Sequence, residues 1–199
     1  MLNNLNKKIF SALSHRAARI LGRRYALTPT SYKYLEIGIS VGNISYVELA
    51  LGDNRGNQII LPIETWRLLM QKRADIEQLT ETPLWIRDLT FQVITTSNST
   101  IIKITSSDNS LYMKPSTLLH LFDFDKCIDH MYSWLCENTH NVTEKFKQFM
   151  HILQRNNISD ASNAEKVIRG SNMFDNESLV DCELIACTIN GILYNASNK

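Results

Sequence analysis

The stretch YVELALGDNRGNQIILPIETWRLL, residues 46–69, decides the fold. Val47, Leu49 and Leu51 alternate with Glu48 and Ala50, and a period of two marks a strand with one buried face. The run from Gly52 to Asn57 is dense in residues that accept positive φ or form side-chain turns, and Gln58–Leu61 follows as the return strand. Pro62 stands where a first helical turn tolerates a missing N–H, and Glu64 is placed to meet the helix dipole. Trp66, Leu69, Met70, Arg73 and Ile76 then mark one face of a helix ending near Leu79. Upstream, Leu35, Ile37, Ile39 and Val41 alternate with Glu36, Gly38 and Ser40, so the unit is three strands closed by a helix.

Sliding the chain by 53 residues pairs Leu49 with Ile102, Leu51 with Ile104, Ile60 with Met113 and Pro62 with Pro115. The second copy has alternating Leu89, Phe91 and Val93, a turn, alternating Ile102 and Ile104, another turn, and Leu111 to Lys114 ahead of Pro115 and a helix. That helix carries Leu118, Phe122, Ile128, Met131, Tyr132 and Leu135 and is expected to run from Ser116 to Asn138. Asn141 and Glu144 then resemble a capping box, and further helices are expected over Ala164–Arg169 and Leu179–Tyr194. The expected fold class is α+β. Two antiparallel meander-plus-helix units stand in tandem as a pseudo-dimer over 34–80 and 84–138, with an arm over 1–33 and a helical segment over 139–199.

The formal net charge of +1 hides an asymmetry. Met1 to Leu35 contains Lys7, Lys8, Arg16, Arg19, Arg23, Arg24 and Lys33 and no acid, while the remainder carries 14 basic and 20 acidic residues. Leu5, Ile9, Leu13, Ala17, Ile20 and Leu21 recur at helical spacing, so the arm reads as an amphipathic basic helix that fits a membrane surface, organellar targeting or a nucleic-acid phosphate backbone, or that folds onto the chain's own acidic body. The longest apolar runs are about five residues against the roughly 18 to 20 of a bilayer helix, which points to a soluble chain without a membrane span. Cys127, Cys136, Cys182 and Cys187 follow no signal peptide, so reduced thiols in a nuclear or cytoplasmic, non-secreted protein are expected.

Leu61, Glu64, Trp66 and Leu69, behind a Gly-containing turn and an apolar strand, carry a resemblance to the positive-cofactor-four family of transcriptional coactivators. The similarity covers Leu35 to Leu79, with an echo through Leu89 to Leu135. It implies a curved antiparallel sheet on a long helix, two such units pairing into a body whose sheets hold melted or single-stranded DNA. The plan is similar, too, to the plant Whirly and purine-rich-element-binding proteins.

Alternation turns Tyr46, Glu48 and Ala50 of the first copy away from the core, and Thr90, Gln92, Lys103, Thr105, Tyr112 and Lys114 of the second. Tyrosines with lysines on a polar sheet face supply stacking surfaces and phosphate contacts. The candidate binding residues are therefore Arg16, Arg19, Arg23, Arg24, Lys33, Tyr46, Arg55, Lys103, Tyr112 and Lys114, with Arg67, Lys72 and Arg73 as extensions of a patch. Cys127, His130, Cys136 and His140 have zinc-ligand types, but on one helix Cys136 lies about half a turn around from the first two, so buried thiols and partly buried imidazoles are the reading. No phosphate-binding glycine loop, nucleophile elbow or paired-histidine helix is present, and Asp123 and Asp125 lack further acids to complete a metal cage. No metal, cofactor or catalytic residue is assigned. The expected function is non-enzymatic, coactivator-like single-stranded DNA or RNA binding. The alternative is a protein-interaction module of the same fold, its C-terminal helices recruiting a partner.

Overall fold

The computed structural model describes residues 19–97, 99–107, 109–158 and 160–197. Four strands, β1 (Arg19–Ala26), β2 (Lys33–Ser40), β3 (Tyr46–Asp53) and β4 (Gln58–Leu61), form a sheet in the order β1-β2-β3-β4. Helices α1 (Ile63–Gln71) and α2 (Arg73–Glu77) follow, then β5 (Leu84–Ile86), β6 (Leu89–Thr96), β7 (Ser99–Thr105) and β8 (Ser110–Met113) in a second sheet of order β5-β6-β7-β8. Helix α3 (Pro115–Leu121), a 3-10 turn (Phe122–Phe124), α4 (Asp125–Arg155), α5 (Ala161–Arg169) and α6 (Leu179–Ser197) complete the described chain. The α+β class and the C-terminal helices match expectation. No described helix is long and apolar enough to cross a membrane.

Each sheet has one more strand than the sequence reading allotted it. Most of the proposed arm helix lies outside the described residues, but from Arg19 the chain is β1, so Ile20 and Leu21 are buried strand residues rather than a helix face. The cause is tertiary: pairing with β2 satisfies the backbone that a helix would otherwise have satisfied internally.

Two compact units divide the chain. The sheet unit comprises Gly22–Gly38 and Glu48–Trp134. Within it Leu49, Leu51, Ile59 and Leu61 of the first sheet are buried, as are Phe91, Ile102, Ile104, Leu111 and Met113 of the second. β4 lies beside β8, α1 touches β5, and α3 packs on β7. Trp66 and Leu69, one helical turn apart, are fully buried on α1. Pro62 immediately precedes α1, while Pro115 is the first residue of α3.

That difference corrects the repeat. In the first hairpin Leu49 pairs with Leu61 and Gly52 with Gln58; in the second Ile102 pairs with Met113 and Thr105 with Ser110. The second turn is thus one residue shorter. The offset is 53 along β3 and β7 but falls to 52 along β4 and β8, so Leu61, not Ile60, corresponds to Met113. With the shorter offset Thr65, Trp66 and Leu69 correspond to Thr117, Leu118 and Leu121, and all six are buried.

The helical unit comprises Arg19–Leu21, Ile39–Val47 and the chain from Leu135 onward. The expected cap at Asn141 is absent: α4 continues through it, because Leu135, Val142 and Phe149 form one fully buried stripe at seven-residue spacing. Asp160 caps α5, accepting from the Asn163 backbone N–H at 3.0 Å. Fully buried Asp181 accepts from Lys145 Nζ at 2.8 Å and from the Asp175 backbone N–H at 3.0 Å, which anchors the start of α6. The Leu21 N–H donates to Glu183, and that of Ser45 to Thr143 Oγ1 at 2.9 Å.

Candidate nucleic-acid interface

The register of the second sheet builds its outer face row by row. Trp85 pairs with Thr90, Thr90 with Thr105, and Thr105 with Ser110; in the next row Gln92 pairs with Lys103 and Lys103 with Tyr112; beyond these Ile94 pairs with Ile101. Paired residues project to the same face, and opposite Thr90 and Gln92 stands Phe91, fully buried. The period-two reading therefore put Thr90, Gln92, Lys103, Thr105 and Tyr112 on one surface, and the sheet brings them together.

This face carries exposed aromatic side chains. Trp85 is 70% exposed and Tyr112 50%. Lys103 Nζ lies 5.9 Å from the Tyr112 ring centroid, which keeps a cation against the aromatic surface. None of the four strands contains an aspartate or glutamate. Trp85 stands outside the sequence reading, which begins the second meander's alternation at Leu89. Extending the alternation of Leu89 and Phe91 back through the two-residue turn, where Ile86 pairs with Leu89, would have found it.

The first sheet differs. Arg24 Nη2 pairs with Glu36 Oε2 at 2.6 Å, and the same guanidinium lies 3.9 Å from the Tyr34 ring centroid. The Tyr34 ring covers Gly52 so closely that a Cβ there would sit 2.6 Å from it. Ala50 and Glu48 are buried. Arg24 is thereby committed to its own sheet.

Lys33 is corrected as a candidate phosphate contact. Its Nζ is buried and bonded to Asp53 Oδ2 at 2.9 Å. Asp53 accepts as well from the backbone N–H groups of Arg55 and Asn57 at 3.0 and 3.1 Å. Burial opposes its ionisation, but hydrogen bonds from Lys33 and Asn57 outweigh that and hold the carboxyl below the usual range. No sequence pattern joins residues twenty apart, so only the paired strands reveal this ion pair.

The remaining candidates divide. Arg55 is exposed at the tip of the β3–β4 hairpin, Arg23 is exposed on β1, and Lys114 is exposed at the start of α3. Arg19 is half-buried and Tyr46 53% exposed, and both belong to the helical unit. Arg16 lies outside the described residues. The helix cations are locally neutralised: Arg67 approaches Asp129 at 3.8 Å, Lys72 pairs with Asp75 at 2.8 Å and Arg73 with Glu77 at 2.7 Å.

The thiols depart from expectation. Cys127 and Cys136 are exposed rather than buried, on the outer face of α4; Cys182 on α6 is exposed as well, and all four cysteines are free. His130 and His140 are likewise exposed. Cys187 is half-buried, and burial, reinforced by Glu183, pushes its thiol up to about 11. Among the described residues no three His, Cys, Asp or Glu side chains are grouped to hold a metal ion. Asp123 bonds His120 Nδ1 at 2.8 Å in the 3-10 turn. In comparisons with known proteins, no family model, no curated protein and no solved structure matches this chain.

Proposed function

We propose that this chain binds single-stranded nucleic acid, DNA or RNA, across the outer face of β5–β8, as a non-enzymatic protein in the manner of the coactivator family it resembles. One observation carries the reading: a sheet face whose strands hold no acid and which bears exposed Trp85 and Tyr112 with Lys103 beside the tyrosine ring. Aromatic faces stack bases without regard to sequence, and cations hold the phosphates between them. The two meanders are read as tandem copies that supply both halves of a pseudo-dimer. Their common strand order and the correspondence of Thr65, Trp66 and Leu69 with Thr117, Leu118 and Leu121 support this. Arg23, Arg55 and Lys114 are the remaining exposed cations of the sheet unit assigned to the strand.

Fluorescence anisotropy with single-stranded DNA, duplex DNA and RNA tests the proposal. Trp85→Ala and Tyr112→Ala are each expected to weaken single-strand binding by roughly tenfold, in line with about 1 to 3 kcal/mol per stacked base. Both side chains are exposed, so thermal stability is expected to change little. No measurable binding by the full chain at about 50 mM salt, where phosphate contacts are strong, overturns the proposal.

The N-terminal basic residues enter as a separate expected effect. Removing residues 1–18, which carry Lys7, Lys8 and Arg16, spares β1. If those three cations neutralise phosphates, the slope of log affinity against log salt falls by about 2, at about 0.7 per phosphate on a single strand. A protein-interaction role is favoured instead by Met173 and Leu179 of the helical unit, 46% and 59% exposed. It becomes the better reading if Trp85→Ala and Tyr112→Ala leave oligonucleotide affinity unchanged.

A further inference from the structure

An open groove of about 600 Å³ adjoins the platform within the sheet unit, formed by the β1–β2 turn on one side and β8 with α3 on the other. Tyr32, Tyr112, Lys114, His120, Thr28 and Ser116 are among its lining residues, and none of the lining residues is acidic. Its volume falls within the range of small-ligand sites, about 300 to 1,000 Å³. Tyr112 belongs to both surfaces, since its ring stands over the sheet beside Lys103 and borders the groove. The sheet face and the groove thus meet at Tyr112.

The groove has the chemistry of a nucleotide site. Tyr32 and Tyr112 offer aromatic surface, and Lys33 Nζ, held by Asp53, lies 5.3 Å from the Tyr32 ring centroid. Lys114 is exposed at the N-cap of α3, its side chain making no capping bond. Hydroxyls of Thr28 and Ser116 supply donors and acceptors for base edges or sugar.

We propose that this groove receives one nucleotide of the strand lying on β5–β8, its base against Tyr32 and Tyr112 and its phosphate on Lys114, an inference that rests on the single-strand reading above. The contact adds a fixed point to an otherwise sliding, sequence-tolerant platform, and makes the β1–β2 turn of the first meander part of a site built mainly by the second.

The test is photocrosslinking of the full chain with a single-stranded oligonucleotide of about eight residues carrying 5-iodouracil, a length inside the range of single-strand sites. Peptide mapping is expected to find adducts on Tyr32 as well as on Trp85 or Tyr112. Tyr32→Ala is expected to weaken binding roughly tenfold, with affinity restored in Tyr32→Phe, which keeps the ring. Lys114→Ala, at an exposed position, should lower the salt slope by about 0.7. Adducts confined to Trp85 and Tyr112, with Tyr32→Ala and Lys114→Ala binding as the parent does, overturn the groove site and leave the platform standing. Absence of any binding or adduct removes both.

Discussion

Trp66→Ala is expected to destabilise the protein by about 3 to 5 kcal/mol, measured as a shift in the denaturant midpoint at unchanged slope. Trp66 is fully buried on α1, and its neighbour one turn along, Leu69, is buried with it. Truncation removes a large apolar surface and leaves a cavity that the backbone of a nine-residue helix cannot collapse into without moving its other buried residues, Ile63 and Thr65. The indole Nε1 has no hydrogen-bond partner among the described residues. Trp66→Phe therefore deletes no polar contact to a described residue and is expected to cost roughly half as much or less. A Trp66→Ala protein as stable as the parent would refute the core assignment and, with it, the resemblance built on Leu61, Glu64, Trp66 and Leu69.

Removing either partner of the Lys33–Asp53 pair is expected to cost about 3 to 5 kcal/mol, because the survivor is left charged and buried. Asp53→Ala has the further effect of releasing the N–H groups of Arg55 and Asn57 that hold the β3–β4 turn. The double change Lys33→Met with Asp53→Leu should destabilise less than the sum of the singles, the mark of direct coupling. The pH dependence follows from the depressed carboxyl of Asp53. Its stabilisation is complete above the unfolded value, about 3.9, and is lost as pH falls through the lower folded value. Acid unfolding of the parent should therefore steepen below about pH 4, and Asp53→Asn should lack that component. Equal acid sensitivity in parent and Asp53→Asn would contradict the assignment.

Much of the architecture was legible because strand alternation and helix starts are local properties of the chain. Leu49, Leu51, Ile102 and Ile104 were placed inward from period two, and all are buried. Pro62 and Pro115 marked the two helix starts within one residue of each other in register. The failures fall where a distant segment decides. Asn141 looked like a cap, yet Leu135, Val142 and Phe149 carried the helix through it, since burial of a continuous stripe outweighs a local capping preference. Arg19–Ala26 looked like the end of a basic helix until β2 offered it a pairing edge.

The candidate site divides in the same way. The sequence by itself determined that two alternating meanders exist, each followed by a proline-marked helix, and that the second lacks acids in its strands, because these depend only on residue identity and backbone period. Only the tertiary structure decided which face remains open. Both sheets alternate alike, but in the first Arg24 folds back on Glu36 and Tyr34, while in the second Trp85 and Tyr112 stay exposed. It likewise decided that Lys33 spends its charge on Asp53 and that Lys103 rests against Tyr112. Charge pairing and exposure are set by what lies across a strand or over a face, and neighbours in space across a sheet are not neighbours in sequence.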